Sequence, residues 1–508
     1  MLYFIVFIVA ICSLIYEVLL STLSSYLIWN SVVQFTLTIW LFLFWLGIGS
    51  FISKFHKNSF KTFLNIELTL WIFWWFSVLI VKSAYILLVD YSILFNLFYF
   101  WYVILIWTLT WFEIPLISNI LYNKKDKIKQ TENEFKNIIW DVFTYDYVGS
   151  LIGTFLFPFL LLPYLGLTYT AFIVWLFNIL IAFIFIIQKK TKKELLKLKI
   201  FYSSLVKILL AILLLITWLI YSNSKFENVW DHFFYKEPIV LKEHSKYQEI
   251  VITKRWNDVR LMLNGHLQFL SLDEHRYHNS LWAVANNYTK KLTWEINLLI
   301  LWWWDGLLAR NMIQSLSWKN YKITLVDLDP EMTNLAKTYP LLVKINKWSL
   351  NNSNIKIINN DAFKYLLDSK RKYNVIIADF PDPRSVEIAK LYSKEFYEMV
   401  QAHLFTWGIF TTQAWNAFFT KESFWSIYKT IETTWQKPFA YHAYLPSFGD
   451  WGFIGFKKWW KITQLTWTYI STRFDKDYLV NMNTLKINNL DNEIIINYYL
   501  KWRARFSE

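Results

Sequence analysis

The chain has 508 residues, of which 55% are hydrophobic, and its formal net charge is +14. This length excludes one small domain, and the mean hydropathy of +0.27 excludes a purely soluble protein. The single cysteine, Cys12, excludes an intrachain disulfide.

Apolar segments long enough to span a bilayer recur through the first 222 residues. The first has neither a basic leader nor a small-residue cleavage site, so we interpret it as a retained span and not as a signal peptide. The sequence therefore predicts an all-α, polytopic membrane domain over 1–222 with about seven helices. The segments lie at 2–27, 33–53, 66–89, 94–121, 145–163, 167–187 and 205–221.

Lysine-rich loops follow the second, fourth and sixth segments, at 54–61, 124–136 and 189–207. These lysines account for most of the basic excess, so a nucleic-acid-binding face is not needed to explain the charge. A positive-inside membrane topology explains it instead.

Two carboxylates, Glu17 and Asp146, fall within or beside apolar segments. Carboxylates are costly in lipid and are therefore functional candidates. A buried hydrogen bond between helices explains them equally well, so no role is assigned to either.

Residues 223–280 are predicted to form a linker and a small β subdomain. After a polar join at 225–246, three short strands with alternating side chains occupy 247–271. Asn264-Gly265 is a strong hairpin signal, and a glycine at position 256 would make Trp256-Asn257 an equally good turn. The run DEHRYH at 273–278 predicts a helix start, with Asp273 near its N-terminus.

The remaining residues, 281–508, are predicted to form an α/β domain with a mostly parallel, Rossmann-like sheet, because strands and helices alternate from residue 294 onward. Binding residues of such sheets gather at the carboxyl ends of strands. Asp305, Asp327, Asp361 and Asp379 all follow predicted strands and are the first candidates. The strands are predicted at 296–301, 321–326, 355–358, 374–378 and 408–413.

Trp302, Trp303 and Trp304 stand in the loop after the first of these strands, where the backbone must approach a bound nucleotide. Such a loop needs glycine, which tolerates positive φ and close contact. The chain has 11 glycines and 30 tryptophans, whereas an average protein of this length holds roughly 36 glycines. Our hypothesis is that most of the tryptophans are glycines, encoded by UGA codons that the source organism reads as glycine. The alternative, a tryptophan-rich membrane protein with aromatic belts, leaves the triplet unexplained.

With these tryptophans read as glycine, the chain resembles the spermidine synthases (polyamine aminopropyltransferases) over roughly 235–508. The apolar half also looks like the membrane extension that some bacterial members carry, with SLIYEVLLSTLSSYL (13–27) and DYVGSLIGTFLFP (146–158) as its marks. In chain order, the motifs of the soluble half are YQEIVIT, LNGHLQ, DEHRYH, LWWWDGLLAR, VDLDP, NDA, IIADFPDP, LYSKEFYEMV and PSFGDWGF.

The resemblance implies that an aminopropyl group passes from decarboxylated S-adenosylmethionine, a co-substrate, to putrescine or a related amine. The products are spermidine, or a related polyamine, and methylthioadenosine. No metal or other cofactor is implied, and no Cys/His cluster has metal-ligand spacing. A dicationic acceptor needs carboxylates, and one of them must take a proton from the attacking nitrogen.

The resemblance also implies the roles of single residues. Asp379 is the expected proton acceptor, and His278, Asp305 and Asp382 are expected to line the polyamine site. The expected contacts of the donor nucleoside are Gln248, Asp327, Asp361 and Ala362, with Asp327 binding the ribose hydroxyls.

Two departures from the family pattern leave the acceptor amine open. The usual Gly-Pro after Asp382-Pro383 is replaced by RSVEIAKLYS, and the acidic residue that commonly follows the gate histidine is Asn279. Two rival functions also stay open. A methyltransferase that uses S-adenosylmethionine shares the sheet but needs neither the paired carboxylates nor the gate. A membrane transporter or sensor would bind polyamine without catalysis.

The expected partners are a small diamine, the sulfonium nucleoside and the lipid bilayer of the cell membrane, with no nucleic acid. Homodimer and homotetramer both stay open. Seven spans with the lysine loops inside would place the C-terminal half outside the cell. Because decarboxylated S-adenosylmethionine is made inside cells, we nevertheless favour a cytoplasmic catalytic half. The weakest predicted span is 205–221.

Overall fold

The computed structural model describes most of the chain, in two compact units, Met1–Lys236 and Glu237–Glu508. The described residues are 2–28, 31–53, 77–88, 91–123, 132–187, 228–302, 304–383, 385–462 and 469–506, with isolated positions between 55 and 76.

The described residues of the first unit are almost all helical. Within those residues, four helical stretches are long and apolar enough to cross a bilayer: Tyr3–Ile28, Gln34–Ser53, Ile93–Asn123 and Phe135–Trp175. The predicted N-terminal helical half with apolar helices is thus confirmed, while the segment at 205–221 lies outside the described residues. The helices are Leu2–Ile28, Ser31–Ser53, Ser77–Leu88, Ser92–Thr110, Glu113–Asn123, Glu132–Leu156 and Leu162–Ile187, with a further helix at 228–235.

The predicted break between the fifth and sixth apolar segments falls at a kink. Helices Glu132–Leu156 and Leu162–Ile187 are joined by a π-helical turn, Phe157–Leu161. Gly166 then takes a φ of 67°, which is outside the helical range. A π-helical turn is a recognised cause of bending in a long helix. The helical backbone is then interrupted at Gly166, which lies between the two predicted segments.

The first helix, Leu2–Ile28, packs closely against Glu132–Leu156. A Cβ atom on Gly153 would lie only 2.7 Å from the carbonyl oxygen of Ile11, so only glycine fits at this crossing. Small residues at crossings are the usual way for apolar helices to associate in lipid, because van der Waals packing must replace the hydrophobic effect.

The two carboxylates of the apolar segments, Glu17 and Asp146, differ in their surroundings. Glu17 is 5% exposed, and its Oε2 atom has no hydrogen-bond partner in the described part of the chain. A structural hydrogen bond between helices therefore does not explain that oxygen. Asp146 lines a cavity of about 40 Å³ together with Ser13 and Glu113.

The second unit begins with a four-stranded antiparallel sheet in the order β1-β2-β3-β4. Three of its strands, β2 to β4, match the predicted β region, whereas β1 lies in the stretch predicted as linker. β1 shifts register against β2 between Ile239 and Leu241. Such an irregularity interrupts the alternation by which strands are identified from sequence. The strands are β1 (Ile239–His244), β2 (Glu249–Arg255), β3 (Asp258–Leu263) and β4 (His266–Leu270).

A larger sheet of seven strands follows among the described residues, in the order β10-β11-β9-β8-β5-β6-β7. Strands β5 to β9 pair in parallel, and β11 joins β9 and β10 in antiparallel fashion. The predicted Rossmann-like sheet is confirmed. The strands are β5 (Ile296–Leu301), β6 (Tyr321–Asp327), β7 (Ile355–Asn359), β8 (Tyr373–Ala378), β9 (Leu404–Asn416), β10 (Pro438–Leu445) and β11 (Gly449–Lys457).

Helices cover the sheet and bury its apolar strands, whose central residues are fully buried. β8 is buried at every position, which is expected of a central parallel strand covered on both faces. The helices are Glu274–Thr289, Leu307–Leu316, Pro330–Thr338, Pro340–Asn346, Ala362–Asp368, Val386–Ala389, Lys394–His403, Lys421–Glu432 and Ile494–Phe506.

Tryptophan is over-represented at backbone positions that suit glycine. Among the described residues, eleven non-glycine residues have positive φ, and seven of them are tryptophan. The left-handed region is strained for a bulky side chain, by roughly 1–2 kcal/mol per residue. The observation agrees with the glycine hypothesis, which stays a prediction. The seven are Trp256, Trp302, Trp348, Trp407, Trp415, Trp435 and Trp459.

Candidate active site

The register of the central strands brings the predicted site residues to one edge of the sheet. Leu301, the last residue of β5, is paired with Val326 of β6 and with Ala378 of β8. The residues that follow these three strands therefore start side by side. The backbone amide of Asp379 donates to the carbonyl oxygen of Leu301 at 3.1 Å, which fixes the start of the turn after β8.

Asp379 is a partly buried residue whose carboxyl group accepts a hydrogen bond from the hydroxyl of Tyr277. Burial raises the pKa of Asp379 to about 7, although the Tyr277 hydrogen bond and the charge of His278 act in the opposite direction. The pKa of Tyr277 is raised well above its usual value, first by burial and then by Asp379, so this tyrosine stays a hydrogen-bond donor. A carboxyl group that titrates near neutrality is well matched to proton transfer at physiological pH.

Tyr277 has no role in the sequence prediction, although it lies within the DEHRYH motif. It is carried by helix Glu274–Thr289, one residue before the predicted site residue His278. The signal that could have indicated a role for Tyr277 is its position beside His278 in the same motif, since neighbouring side chains on a helix point only about 100° apart.

His278 belongs to a buried ion-pair cluster. Its Nδ1 atom lies 2.7 Å from Oε2 of Glu274, and Nη2 of Arg310 lies 2.9 Å from the same oxygen. Burial alone would lower the pKa of His278, but the hydrogen bond and charge of Glu274 raise it overall. Glu274 therefore favours the charged form of the imidazole, which lies close enough to act on Asp379. Its expected contact with polyamine stays a prediction.

Asp305 holds the turn between β5 and helix Leu307–Leu316. Its Oδ1 atom accepts from the amide of Leu307 at 2.7 Å, and its carbonyl oxygen accepts from Asn346 at 2.9 Å. Gly306 follows with a φ of 78°, and a Cβ atom there would lie 2.6 Å from Oγ of Ser349. Glycine is thus required at position 306. The hydrogen bonds of Asp305 fix it in the loop after β5, at the carboxyl end of that strand. Its expected contact with polyamine stays a prediction.

Asp327 ends β6 and is 3% exposed. Its Oδ1 atom accepts from the amide of Asp329 at 2.9 Å, whereas Oδ2 is buried with no hydrogen-bond partner among the described residues. Burial raises its pKa to about 7, and the Asp329 amide lowers it in part. A buried carboxylate oxygen without a donor is costly. The expected contact of Asp327 with the ribose hydroxyls stays a prediction.

Gln248 lies in the turn between β1 and β2 and reaches the same region. Its Nε2 atom donates to Oδ2 of Asp329 at 3.0 Å, and the hydroxyl of Ser245 donates to that oxygen at 2.6 Å. The small sheet thereby holds its β1–β2 turn against the acidic turn after β6. The structure thus places Gln248 against Asp329, in the turn that follows Asp327. Donor contacts by Gln248 and Asp327 stay a prediction.

Asp361 is already engaged by residues of the chain. Its Oδ1 atom accepts from the amide of Lys364 and caps helix Ala362–Asp368, and its Oδ2 atom lies 3.0 Å from Nζ of Lys390. Lys390 comes from the stretch that departs from the family pattern. Ala362 is buried at the first position of the helix. A nucleoside contact by this pair stays a prediction.

Asp382 receives a partner that the sequence did not indicate. The hydroxyl of Tyr499, in helix Ile494–Phe506, donates to Oδ2 of Asp382 at 2.7 Å. The turn itself is held by Tyr392, which donates to the carbonyl oxygen of Phe380 at 2.9 Å, and by Gln413, which donates to the same oxygen. These three residues are separated from the turn by loops and helices, so spacing alone could not reveal them.

Comparisons with known proteins identify the family of the chain. The Spermine/spermidine synthase domain matches residues 274–465. The polyamine aminopropyltransferase of Leptospira interrogans is 33% identical over 98% of this chain and 97% of its own length. That of Oceanobacillus iheyensis is 35% identical over 97% of this chain and 96% of its own length. The spermidine synthase structure from Thermotoga maritima matches with a TM-score of 0.37 and 19% identity, over 53% of this chain and 88% of that one.

The two bacterial relatives align with both units of the chain and not with the soluble unit alone. The rival functions, methyl transfer and polyamine binding without catalysis, are not favoured by these matches. The predicted family, the enzyme class and the co-substrate are confirmed. The chain is a member of the polyamine aminopropyltransferases, which transfer the aminopropyl group of decarboxylated S-adenosylmethionine to an amine.

Proposed function

We propose that the acceptor is putrescine or a closely related diamine and that Asp379 takes the proton from its attacking nitrogen. The observation that carries this proposal is the Asp379 carboxyl group at the end of β8, which Tyr277 holds by a hydrogen bond and whose pKa is raised to about 7 by desolvation. Asp305 and Asp382 add negative charge around it, as a dicationic substrate requires.

The proposed reaction is a single displacement. The amine nitrogen forms a bond to the aminopropyl carbon attached to sulfur, and the carbon–sulfur bond breaks with its electron pair passing to sulfur. Methylthioadenosine leaves as a neutral thioether, and the proton lost by the nitrogen passes to Asp379. Tyr277 keeps the carboxylate oriented toward the nitrogen, because a fixed acceptor loses less entropy in the transition state.

For the donor, we propose that Asp327 binds the ribose hydroxyls through Oδ2, which lacks a donor in the described part of the chain. Gln248 closes the same side of the site from the small sheet. Asp361 and Ala362 are proposed to contact the nucleoside base at the start of their helix. In the ligand-free chain, Lys390 forms an ion pair with the Asp361 carboxylate.

The first experiment replaces Asp379 by asparagine in the full chain, purified in detergent. Turnover is measured as methylthioadenosine release from decarboxylated S-adenosylmethionine and putrescine, and methylthioadenosine binding is measured by calorimetry. We expect turnover to fall by about 10²–10⁴-fold, the usual range for a lost general base, while nucleoside binding is retained.

The matched control is Asp368→Asn, since Asp368 is an exposed acid of the same unit and should leave turnover unchanged. Equal turnover in the Asp379→Asn and control variants would refute the assigned role. Loss of nucleoside binding in Asp379→Asn would show instead that the change damages the fold.

We also propose that positions 302–304 are glycine in the protein made by its own cells. Trp302 has a φ of 63°, and Trp303 lies outside the described residues. The codons at these positions, or peptide masses across them, test this directly, and UGG codons would refute it. Protein made with tryptophan there should bind the nucleoside poorly, and glycine at all three positions should restore binding by calorimetry.

Finally, we propose that the helical half lies in the cell membrane and that the catalytic unit faces the cytoplasm. The four long apolar helices support the first part, and the intracellular origin of the donor supports the second. A reporter fused after Glu508 tests the side, and activity only outside the membrane would overturn the cytoplasmic assignment.

A further inference from the structure

A small polar cavity lies inside the helical half of the chain. Its volume is about 40 Å³, which is enough to hold water. Its lining includes Ser13 and two acidic residues, Glu113 and Asp146, and none of the described residues that line it is basic. Two carboxyl groups that share one small cavity repel each other when both are ionised, so this lining favours a bound cation or a proton.

Ser13 is the residue whose surroundings point to a ligand in this cavity. It is 8% exposed, and its Oγ atom has no hydrogen-bond partner within the part of the chain that the structure describes. Serine hydroxyls in helices commonly donate to a carbonyl oxygen of the preceding turn, as the Ser21 hydroxyl does to Glu17 at 2.8 Å. The Ser13 hydroxyl is instead left to the cavity, where a ligand can bond to it.

Glu17 lies one helical turn beyond Ser13, on the same face of the first helix. It is 5% exposed, and its Oε2 atom also lacks a partner among the described residues. The lining residues of this helix run from Val6 to Leu14, about 12 Å of helix rise. Because Glu17 is near the middle of the apolar stretch Tyr3–Ile28, the cavity leads from one end of that stretch toward a carboxyl group at its centre.

Asp146 reaches the cavity from helix Glu132–Leu156. Its spacing from Gly149 and Gly153 places all three on one helix face. That face touches the first helix, since a Cβ atom on Gly149 would overlap the carbonyl oxygen of Phe7. Asp146 therefore lies on the side of its helix that faces the cavity, and it is only half-buried, so its carboxyl group can exchange protons with the outside.

The composition of the cavity favours a proton over other cations. No three His, Cys, Asp or Glu residues lie close enough together to hold a metal ion in the described ranges. The cavity is also far smaller than the pockets that bind organic ligands. A carboxyl group surrounded by apolar helices is favoured in its neutral, protonated form, because a charge there is costly.

The other buried titratable groups on the described helices that pack around the first helix are already engaged. Tyr99 and Tyr102 donate to the carbonyl oxygens of Leu20 and Phe73, and Nζ of Lys82 lies 5.3 Å from the ring centroid of Trp230. The carboxyl groups at the cavity are therefore the groups best placed to exchange a proton.

We propose that this cavity is a proton pathway into the membrane half and that Glu17 is the carboxyl group at its inner end. Asp146 first takes up a proton from outside. Its O–H bond then breaks as the proton passes to water held on the Ser13 hydroxyl, and that water passes another of its protons to the Glu17 carboxylate. Asp146 is left as a carboxylate, the water is unchanged and Glu17 is protonated. Chains of carboxyl groups relay protons through membrane proteins in this way.

The proton pathway goes beyond the proposed catalysis but rests on the proposed placement of the helical half in the membrane. Infrared spectroscopy of the full chain, reconstituted in lipid vesicles and transferred from H2O to D2O, tests it. The pH is set to about 8.5, where carboxyl groups with a pKa of about 7, such as those of Asp379 and Asp327, are ionised. We expect a protonated-carboxyl band that persists at this pH, shifts on deuteration and is lost in Glu17→Gln.

Asp146→Asn and Ser13→Ala should keep this band but slow its deuteration by about tenfold, the size expected when one hydrogen-bonded step of the relay is lost. The matched control is Asp141→Asn, since Asp141 is an exposed acid on the same helix as Asp146 and should leave the band and its exchange rate unchanged. Replacing Na⁺ by K⁺, or adding putrescine, should also leave the band unchanged, because a proton and not a larger cation occupies the site.

Equal deuteration rates in Asp146→Asn, Ser13→Ala and the control would overturn the proposal, and so would a band that Na⁺ or putrescine removes. Flotation of the vesicles separates two failures. A chain that does not float with the lipid refutes the placement in the membrane, whereas a floated chain without a Glu17-dependent band refutes the proton pathway alone.

Should Glu17→Gln fail to fold, the unaltered chain in vesicles is treated with a hydrophobic carbodiimide, which reacts with protonated carboxyl groups in apolar surroundings. Peptide masses then show whether Glu17 has reacted. A modified Glu17 supports the proposal, and an unmodified Glu17 overturns it.

Discussion

Replacing Tyr277 by phenylalanine should move the acid limb of the pH profile upward. Asp379 accepts a proton only when ionised, so kcat/KM falls as the pH drops through its pKa, which burial raises to about 7. The Tyr277 hydrogen bond stabilises the ionised form and lowers that pKa. A hydrogen bond to a charged group contributes about 1.5–3 kcal/mol, and one pKa unit corresponds to 1.36 kcal/mol. Its loss should therefore raise the acid limb by about 1–2 pH units.

The assay is methylthioadenosine release between about pH 5.5 and 9.5 at low putrescine concentration, which reports the free enzyme. His278, Asp305 and Asp382 also act on Asp379, but none of them is altered by this substitution. The control is Tyr288→Phe on the same helix, which should leave the profile in place. An acid limb that stays in place or moves downward in Tyr277→Phe would refute the reasoning.

Two further substitutions test the buried charges. Burial raises the pKa of Asp327 to about 7, so its ionisation destabilises the folded state progressively as the pH rises from about 4 to 7. Asp327→Asn should therefore stabilise the ligand-free enzyme by about 1–3 kcal/mol more at pH 8 than at pH 4; equal shifts in Tm at both pH values would contradict this. Glu274→Gln should lower the free energy of unfolding by about 3–5 kcal/mol, because Arg310 and His278 lose their buried partner. Denaturant unfolding measures the change, and an unaltered midpoint would contradict it.

The central parallel strands could be predicted because they are short, continuous apolar runs that end in polar residues. The predicted strand at 296–301 coincides with β5, Ile296–Leu301. β10 and β11 were not predicted. Their polar and aromatic residues, as in the run PFAYHAYL of β10, do not form the apolar run or clean alternation that identifies a strand. The pairing of β11 with β9, and of β10 with β11, decides their structure.

The candidate site also contains residues that the sequence could predict and residues that it could not. The acids that follow strands could be placed at one edge, because parallel strands align their carboxyl ends. Tyr499 could not be found in this way, since it lies 117 residues from its partner Asp382 and on a helix with no family motif. The ion-pair cluster of Glu274, His278 and Arg310 likewise depends on how two helices pack, which spacing does not reveal.

Following the two ends of the donor through one turnover tests the central claim most directly. Decarboxylated S-adenosylmethionine is labelled with carbon-13 in the aminopropyl chain and with deuterium in the S-methyl group, and the products formed with putrescine are separated by mass spectrometry. We expect the carbon label in spermidine and the deuterium in methylthioadenosine. Deuterium in the amine product, with the aminopropyl chain still on sulfur, would contradict aminopropyl transfer.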